Sequence, residues 1–347
     1  MSTSDIHDKT GVPILLGLLL IPGFALMGYA TLVEAFRAAN TLSGQLLYQW
    51  FHVSPDGAAV EATSGARIVA DAQVGDRLNC ARLFVFAGGD PRRFHDGAIY
   101  GWLRQLARGG CAIAGISGGP YVMARAGLLA GRRATIHWEH RDLLAAEFPD
   151  VALDRGLYVI DGPVITCAGG TAGLDLALAL IALDYGDDLA QRVGEWFIRT
   201  APRDSAGPQR PSPAERHGTT NRVVLQALAM IEASLDRPPE RTAIAAACGR
   251  STRQIERLFR LHLGQTMAET TLAIRLDSAA HRLRTTDAGV TQVALDCGFV
   301  SAAHFSRCVR RRFGMAPSDL RKNRTVTKID PESCDSGSSR LRSGNGR

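Results

Sequence analysis

The 347-residue chain predicts two architectures in series: an α/β open parallel sheet over residues 11–199 and an all-α block over 221–323. Three observations predict them. Short apolar runs alternate with helical patterns through the first two hundred residues, as in sheets covered by helices on both faces. A stretch rich in Pro, Gly, Ser and Arg, TAPRDSAGPQRPSPAERHG, then interrupts the chain and reads as a linker over 200–220. The block that follows contains one device twice: a short helix, a Gly-containing turn and a second helix.

The first apolar run lies in a segment with no charge between Lys9 and Glu34, long enough to suggest a membrane span. Pro13 and Pro22 break it, and Asp5 and Asp8 lie where a signal peptide carries positive charge. It therefore reads as a buried strand, Ile14 to Leu20, a Pro–Gly turn, and a helix toward Ala39. Parallel strands buried on both faces are continuous apolar runs of this kind. Further strands are predicted at 48–53, 83–87, 111–115, 134–137, 157–160 and 164–168. Helices are predicted around 25–39, 97–108, 118–129, 139–147, 171–184 and 187–199. Seven cysteines without a C-x-x-C pair argue against a disulfide framework or structural zinc, and for a reducing cytoplasm. No motif calls for a cofactor or a metal. Residues 324–347 are poor in apolar side chains and predict a disordered tail.

Open parallel sheets bind ligands beyond the carboxyl ends of their strands. Three Gly-containing strand ends fall there: AGGD at 87–90, GISGG at 115–119 and CAGGT at 167–171. The middle one reads G-x-S-x-G, the spelling of a nucleophile elbow. Ser117 is then either a nucleophile or the floor of a binding site. A serine nucleophile needs an adjacent base held by a third group. Here His137 and His140 precede the acids Asp161 and Asp175, and His217 lies in the linker, an order unlike the usual Ser, acid, His. On the binding reading, Ser117 and the N–H groups of Gly118 and Gly119 meet an anionic or carbonyl oxygen of a small metabolite. His137, Trp138 and Glu139 follow a strand end at the same pocket, where Trp138 can stack on a cation and Glu139 can neutralise it. Gly89, Gly170 and Thr171 complete the candidate site.

Charge is uneven. Residues 221–324 carry 17 Lys/Arg against 9 Asp/Glu, a net +8, which leaves −2 for the rest of a chain of +6. Only the C-terminal block is expected to meet a polyanion. In its first unit a helix over 242–247 meets a turn at Cys248–Gly249. A second helix capped by Ser251 turns Ile255, Leu258 and Phe259 inward. Arg253, Arg257 and Arg260 share the opposite face. In the second unit the helix after Ser301 turns Phe305, Val309 and Phe313 inward and carries Arg307, Arg310, Arg311 and Arg312 outward. Arginine suits guanine edges and phosphate oxygens. Two such helices predict double-stranded DNA with half-sites about one helical turn, roughly 34 Å, apart.

The run GFVSAAHFSRCVRRRFGMAPSDLRK (298–322) closely resembles the signature of AraC-type transcription regulators, and STRQIERLFRLHLGQT resembles their first recognition helix. Met267 and Thr271 depart from that pattern, where the family usually has Pro and an aromatic. The resemblance implies that Arg253, Glu256 and Arg257 face one groove and Ser301, Ala302, Ala303 and Arg307 the next. PGFALMGYATLVEAFRAAN, LFVFAGGD, GISGGPYVMARAGLLAGRRATIHW and ITCAGGTAGLDLALALI resemble the sensor half of GlxA-type regulators, a PfpI-like, class I glutamine-amidotransferase-like domain of flavodoxin-like fold. In PfpI-like enzymes the elbow residue is Cys, commonly followed by His; here Ser117 and Gly118 stand there. That departure, with the histidines and acids out of the usual order, reads as no enzyme. The resemblance to the regulators implies an effector-responsive activator, placed in the cytoplasm by the cysteine usage. It would act as a homodimer, with RNA polymerase as a possible partner and an amine-bearing metabolite as effector. The rival reading is a serine hydrolase or amidase using Ser117; a third is an unregulated DNA-binding protein.

Overall fold

The computed structural model describes residues 12–90, 94–286 and 288–322; the first residue of the predicted sheet block, and the tail expected over 324–347, lie outside the described residues. The chain divides into two compact units, Met1–Ala229 with Thr242–Thr266, and Met230–Arg241 with Met267–Arg347.

In the first unit the elements run β1 (Ile14–Leu20), α1 (Leu26–Ser43), β2 (Tyr48–Ser54), β3 (Val60–Glu61), β4 (Arg67–Ile68), β5 (Ala72–Gln73) and β6 (Arg82–Ala87). They continue as α2 (Gly97–Arg108), β7 (Ala112–Ser117), α3 (Gly119–Arg125), β8 (Arg133–Ala134), α4 (Arg141–Glu147), β9 (Ala152–Leu153), β10 (Tyr158–Asp161) and β11 (Val164–Cys167). Then come α5 (Ala172–Tyr185), α6 (Asp187–Trp196) and α7 (Pro213–His217). The main sheet has the order β10-β11-β7-β6-β1-β2-β5. All its pairs are parallel except β10 with β11. The expected parallel sheet therefore ends in one antiparallel edge strand. Only Gly162 and Pro163 join the two strands, and so short a link allows a hairpin but not a parallel crossover.

Why the strands read as unbroken apolar runs is visible in β6. Phe84 and Phe86 pack with α1 and α5 on one face, while Leu83 and Val85 pack with α2 and α3 on the other. The strand expected at 134–137 shortens to β8, which pairs with β9 apart from the main sheet. Among the described residues no helix is long and apolar enough to cross a membrane.

Across this fold α5 is nearly all apolar, yet it carries buried Asp175 in its first turn and Asp184 in its last. Arg82 donates to both oxygens of Asp184 at 2.6 Å, and the Tyr48 hydroxyl donates to it at 2.8 Å. Burial and the Asp184 carboxylate push the Tyr48 hydroxyl far above its ordinary pKa, so it stays a donor.

Three further helices complete the part of the C-terminal block that falls largely in the first unit: α8 (Arg222–Ala233), α9 (Arg241–Ala247) and α10 (Thr252–Leu263). Gln226 donates to Ala247 O at 3.1 Å, and Asn221 bonds His262 at 3.1 Å. The second unit contains α11 (Met267–Thr285), α12 (Val290–Asp296), α13 (Ala302–Phe313) and α14 (Pro317–Lys322), closed around Leu276, Leu283, Val293, Phe299, Phe305 and Val309. Gly298, at φ +75°, joins α12 toward α13; a Cβ there would lie 2.6 Å from Leu235 O, so only glycine fits.

Removing one partner of the buried Arg82–Asp184 pair leaves an uncompensated charge. Asp184→Ala is expected to cost about 3–5 kcal/mol in urea unfolding. Glu34→Ala, which breaks the exposed Arg37–Glu34 pair, is expected to cost under about 1 kcal/mol.

Candidate functional site

Ser117 ends β7 at φ +61°, a left-handed conformation rare for a residue with a Cβ. The neighbouring backbones hold it there. Gly169, at φ +82°, lies so close that a Cβ on it would sit 2.7 Å from Ser117 Cβ and 3.0 Å from its Cα. A Cβ on Gly119 would overlap Val85 O, and one on Gly118 would touch Ala87 at 3.3 Å. The elbow spelled by the sequence is thus an elbow in the fold, with Ser117 8% exposed. The Gly118 N–H, expected to face a ligand oxygen, instead donates to Ala87 O at 3.0 Å. The close approach of β6 that shapes the turn also consumes that donor. Among the described residues, no hydrogen bond joins Ser117 Oγ to a histidine. Burial pushes the nearby Cys167 thiol up to about 12, which keeps it protonated and unreactive.

The predicted His137–Glu139 segment does come beside the elbow. The His137 N–H donates to Ser117 O at 3.4 Å. Trp138–His140 form one 3-10 turn, with His137 Nδ1 3.7 Å from the Glu139 carboxylate. The side chains of His137, Glu139 and His140 place one ligand atom each within 4.8 Å of one another. Two imidazoles and a carboxylate are a donor set for a divalent transition metal, although the sequence called for none. Gly89 and Gly170 lie at their strand ends at φ +70° and +56°. Thr171 turns to the protein instead: its Oγ1 accepts from Arg203 Nη2 at 3.0 Å. Asp175, one turn on, is 3% exposed and paired with both Arg199 and Arg203. A cleft of about 720 Å³, lined by Tyr158, Asp175, Leu178, Ala190, Arg199 and Arg203, opens beside this cluster.

The residues that sequence reasoning missed lie in the stretch taken for a linker. Besides Arg203, Ser205 O accepts from Leu157 N at 2.6 Å. Gln209 Nε2 reaches Thr135 Oγ1 and Ile136 O at 3.0 Å and Gly156 O at 2.8 Å. The Arg210 guanidinium lies 4.1 Å above the Trp138 ring. Residues 203–210 are therefore laid against the strand ends. Composition carries no signal for this, because long polar side chains among prolines read as linker wherever they dock.

On α10, Arg253, Arg257 and Arg260 are exposed, Glu256 is half-buried, and Ile255 and Phe259 are buried opposite. Ser251 and Gln254 form a capping box, and the turn before them is at Gly249, φ +62°. On α13, Ser301 is the cap and accepts from His304 N. Ala302, Ala303, Arg307, Arg310 and Arg311 are exposed. Arg312 is drawn off that group by a two-pronged bond to Asp277, at 2.9 and 2.6 Å.

Comparison with known proteins agrees with both halves. Residues 16–183 match the DJ-1/PfpI family, and residues 244–323 match a helix-turn-helix domain family. The chain is 41% identical over 308 residues to the HTH-type transcriptional regulator GlxA of Rhizobium meliloti, covering 88% of this chain and 95% of that protein. It is 42% identical over 303 residues to the HTH-type transcriptional regulator CdhR of Pseudomonas aeruginosa, covering 87% and 90%. A crystal structure of an AraC family transcriptional regulator from Pseudomonas putida aligns with 53% of this chain and 100% of its own, at 24% identity and a TM-score of 0.48.

The elbow's dependence on bare backbone is open to measurement. Gly169→Ala forces a Cβ into Ser117 as well as straining φ, and is expected to cost about 2–4 kcal/mol in thermal unfolding. Gly162→Ala, at φ +60° with open space around it, is expected to cost only about 1 kcal/mol.

Proposed function

Since the chain belongs to the transcriptional regulators that join a DJ-1/PfpI domain to an AraC-type helix-turn-helix domain, we propose that its first domain senses a small amine-bearing metabolite without catalysis and thereby controls DNA binding. The observation that carries the sensing reading is the face of Trp138, which sits beside the Ser117 elbow and takes a guanidinium at 4.1 Å. An aromatic face flanked by a carboxylate suits a cation, and here Glu139 is next in sequence. Ser117 would meet the oxygen end of the ligand, with the Gly119 N–H beside it; Gly89 and Gly170, with open space where a Cβ would stand, allow its close approach. His137 would orient the carboxylate of Glu139, 3.7 Å away.

Effector binding shifts the regulator only if it favours one state over another. The docked 203–210 stretch supplies a segment that ligand contacts can bias. The exposed arginines of α10 and α13 support contacts to bases and phosphates, with Ala302 and Ala303 limited to apolar contact such as a thymine methyl. Family resemblance extends this reading to a cytoplasmic homodimer that activates transcription through RNA polymerase.

The test is a thermal-shift screen of the full chain against amino acids, quaternary ammonium compounds and polyamines, with products followed by mass spectrometry. A saturable rise in melting temperature, no product, and retention of binding in Ser117→Ala are expected. Product that disappears in Ser117→Ala would make Ser117 a nucleophile and overturn the reading.

For DNA, Arg257→Ala is expected to lose about 1–3 kcal/mol of specific affinity. Arg310→Ala is expected to weaken all sequences alike and to lower the salt slope by about 1. Footprinting should give half-sites about 10 bp apart on one DNA face.

A further inference from the structure

Two sulfurs meet at the end of the sheet opposite the elbow. Cys80 stands two residues before β6, and Cys111 one residue before β7. The parallel pairing of these strands sets Arg82 beside Ala112, and Ala112 N donates to Ala81 O at 3.0 Å. The register therefore brings the two cysteines together, with their sulfurs 3.5 Å apart. Both are free thiols, each residue is 7% exposed, and they share a core layer with Leu83, Leu106 and Ile113. The two are not equivalent. The Cys111 S–H and the Gly17 N–H favour a thiolate on Cys80 and lower its pKa, while the bond to Cys80 and burial raise that of Cys111. When the pair holds one proton, Cys111 keeps it.

We propose that Cys80 and Cys111 are a modification site for hydrogen peroxide, Cys80 attacking and Cys111 resolving, which closes into a reversible disulfide between β6 and β7. This proposal is independent of the sensing reading above. The thiolate is the nucleophile toward a peroxide, and a sulfenic acid beside a second thiol condenses with it. In the first step Cys80 Sγ attacks one peroxide oxygen. The O–O bond breaks, Cys80 becomes a sulfenic acid, and the departing hydroxide takes up a proton as water. In the second step Cys111 Sγ attacks the Cys80 sulfur. The S–O bond breaks, and the hydroxide that leaves takes the Cys111 proton as a second water. Two thiols and one peroxide thus give one disulfide and two waters; the two sulfurs supply the two electrons that reduce the O–O bond. Closure brings the sulfurs from 3.5 Å to about 2.0 Å. Near-complete burial admits a small oxidant and shuts out a bulky one such as oxidised glutathione. The strands so fastened are those whose far ends carry AGGD and GISGG. The cross-link spans 31 residues and removes freedom from the unfolded chain.

The test treats the folded, reduced full chain with hydrogen peroxide, blocks the remaining thiols and maps its peptides by mass spectrometry without reductant. A Cys80–Cys111 linked pair lacking two hydrogens is expected, with Cys167 unlinked and dithiothreitol restoring both thiols. Oxidised glutathione should leave the pair reduced. The linked protein should melt about 5–10 °C above the reduced one. In Cys111→Ser the reaction should stop at a sulfenic acid on Cys80, trapped by dimedone. In Cys80→Ser, Cys111 should react at least about tenfold more slowly than that. A pair that stays reduced in the peroxide-treated wild type overturns the proposal, whether or not the serine variants fold. So does a linked protein that melts below the reduced one, because the disulfide would then sit in a distorted fold. Equal dimedone labelling of Cys111 in Cys80→Ser overturns the order of attack, and linkage by oxidised glutathione overturns the assignment to peroxide.

Discussion

A serine at φ +61° is held by the backbones on either side of it. β7 enters between β6 and β11; the glycines at 119 and 169 let the flanking chains approach where a Cβ would collide, and Gly118 lets them approach where a Cβ would be in tight contact. Left-handed backbone at a residue with a side chain costs free energy that the surrounding packing must supply. The sensing proposed for the first domain depends on that enforced turn. It sets Ser117 at the strand ends and holds the 137–139 turn against it through the His137 N–H. It also spends the Gly118 N–H on Ala87, so the turn gives up an anion donor in exchange for its shape.

The electrostatics follow the same economy of placement. Cationic groups gather where the first domain needs to hold something: Arg199 and Arg203 at Asp175, Arg82 at Asp184, Arg210 at Trp138. In the helical block the arginines on the outer faces of α10 and α13 point outward instead, while others are structural. Arg275 is held by Cys297 O and the Phe299 ring, Arg282 by Asp296, Arg321 by Ala288 O, and Arg312 by Asp277, which fixes the end of α13 against α11. Charge alone does not separate a contact residue from a structural one; the partner does.

Much of this was legible in the sequence. β1, β6 and β7 are buried on both faces, so their apolar runs carry no competing helical period, and each was located to within a residue or two. Ser251 and Ser301 announced the starts of α10 and α13, because a capping hydroxyl has few other reasons to precede an apolar helical pattern. The elbow was spelled by its glycines. What stayed hidden was governed by contacts between distant residues. β3, β4 and β5 are two residues each, too short for alternation to register. The reversal of β10 hung on the two-residue link at Gly162–Pro163, and a link length is easily passed over beside a hydrophobic run. The docking of Gln209 and Arg210 depended on carbonyls and a ring more than fifty residues away, which no local pattern encodes.

The two buried carboxylates of α5 bear on how the first domain can move. One is clamped near the helix's N-terminus, where the helix dipole also favours it; the other sits at the C-terminus, where the dipole opposes it and the two-pronged Arg82 must offset that cost. Sliding α5 along its axis by even one turn would strand both charges at once. The helix therefore has a single axial register and cannot work as a piston. Any rearrangement at the strand ends would fall to the side chains there and to the docked stretch over 203–210, not to α5.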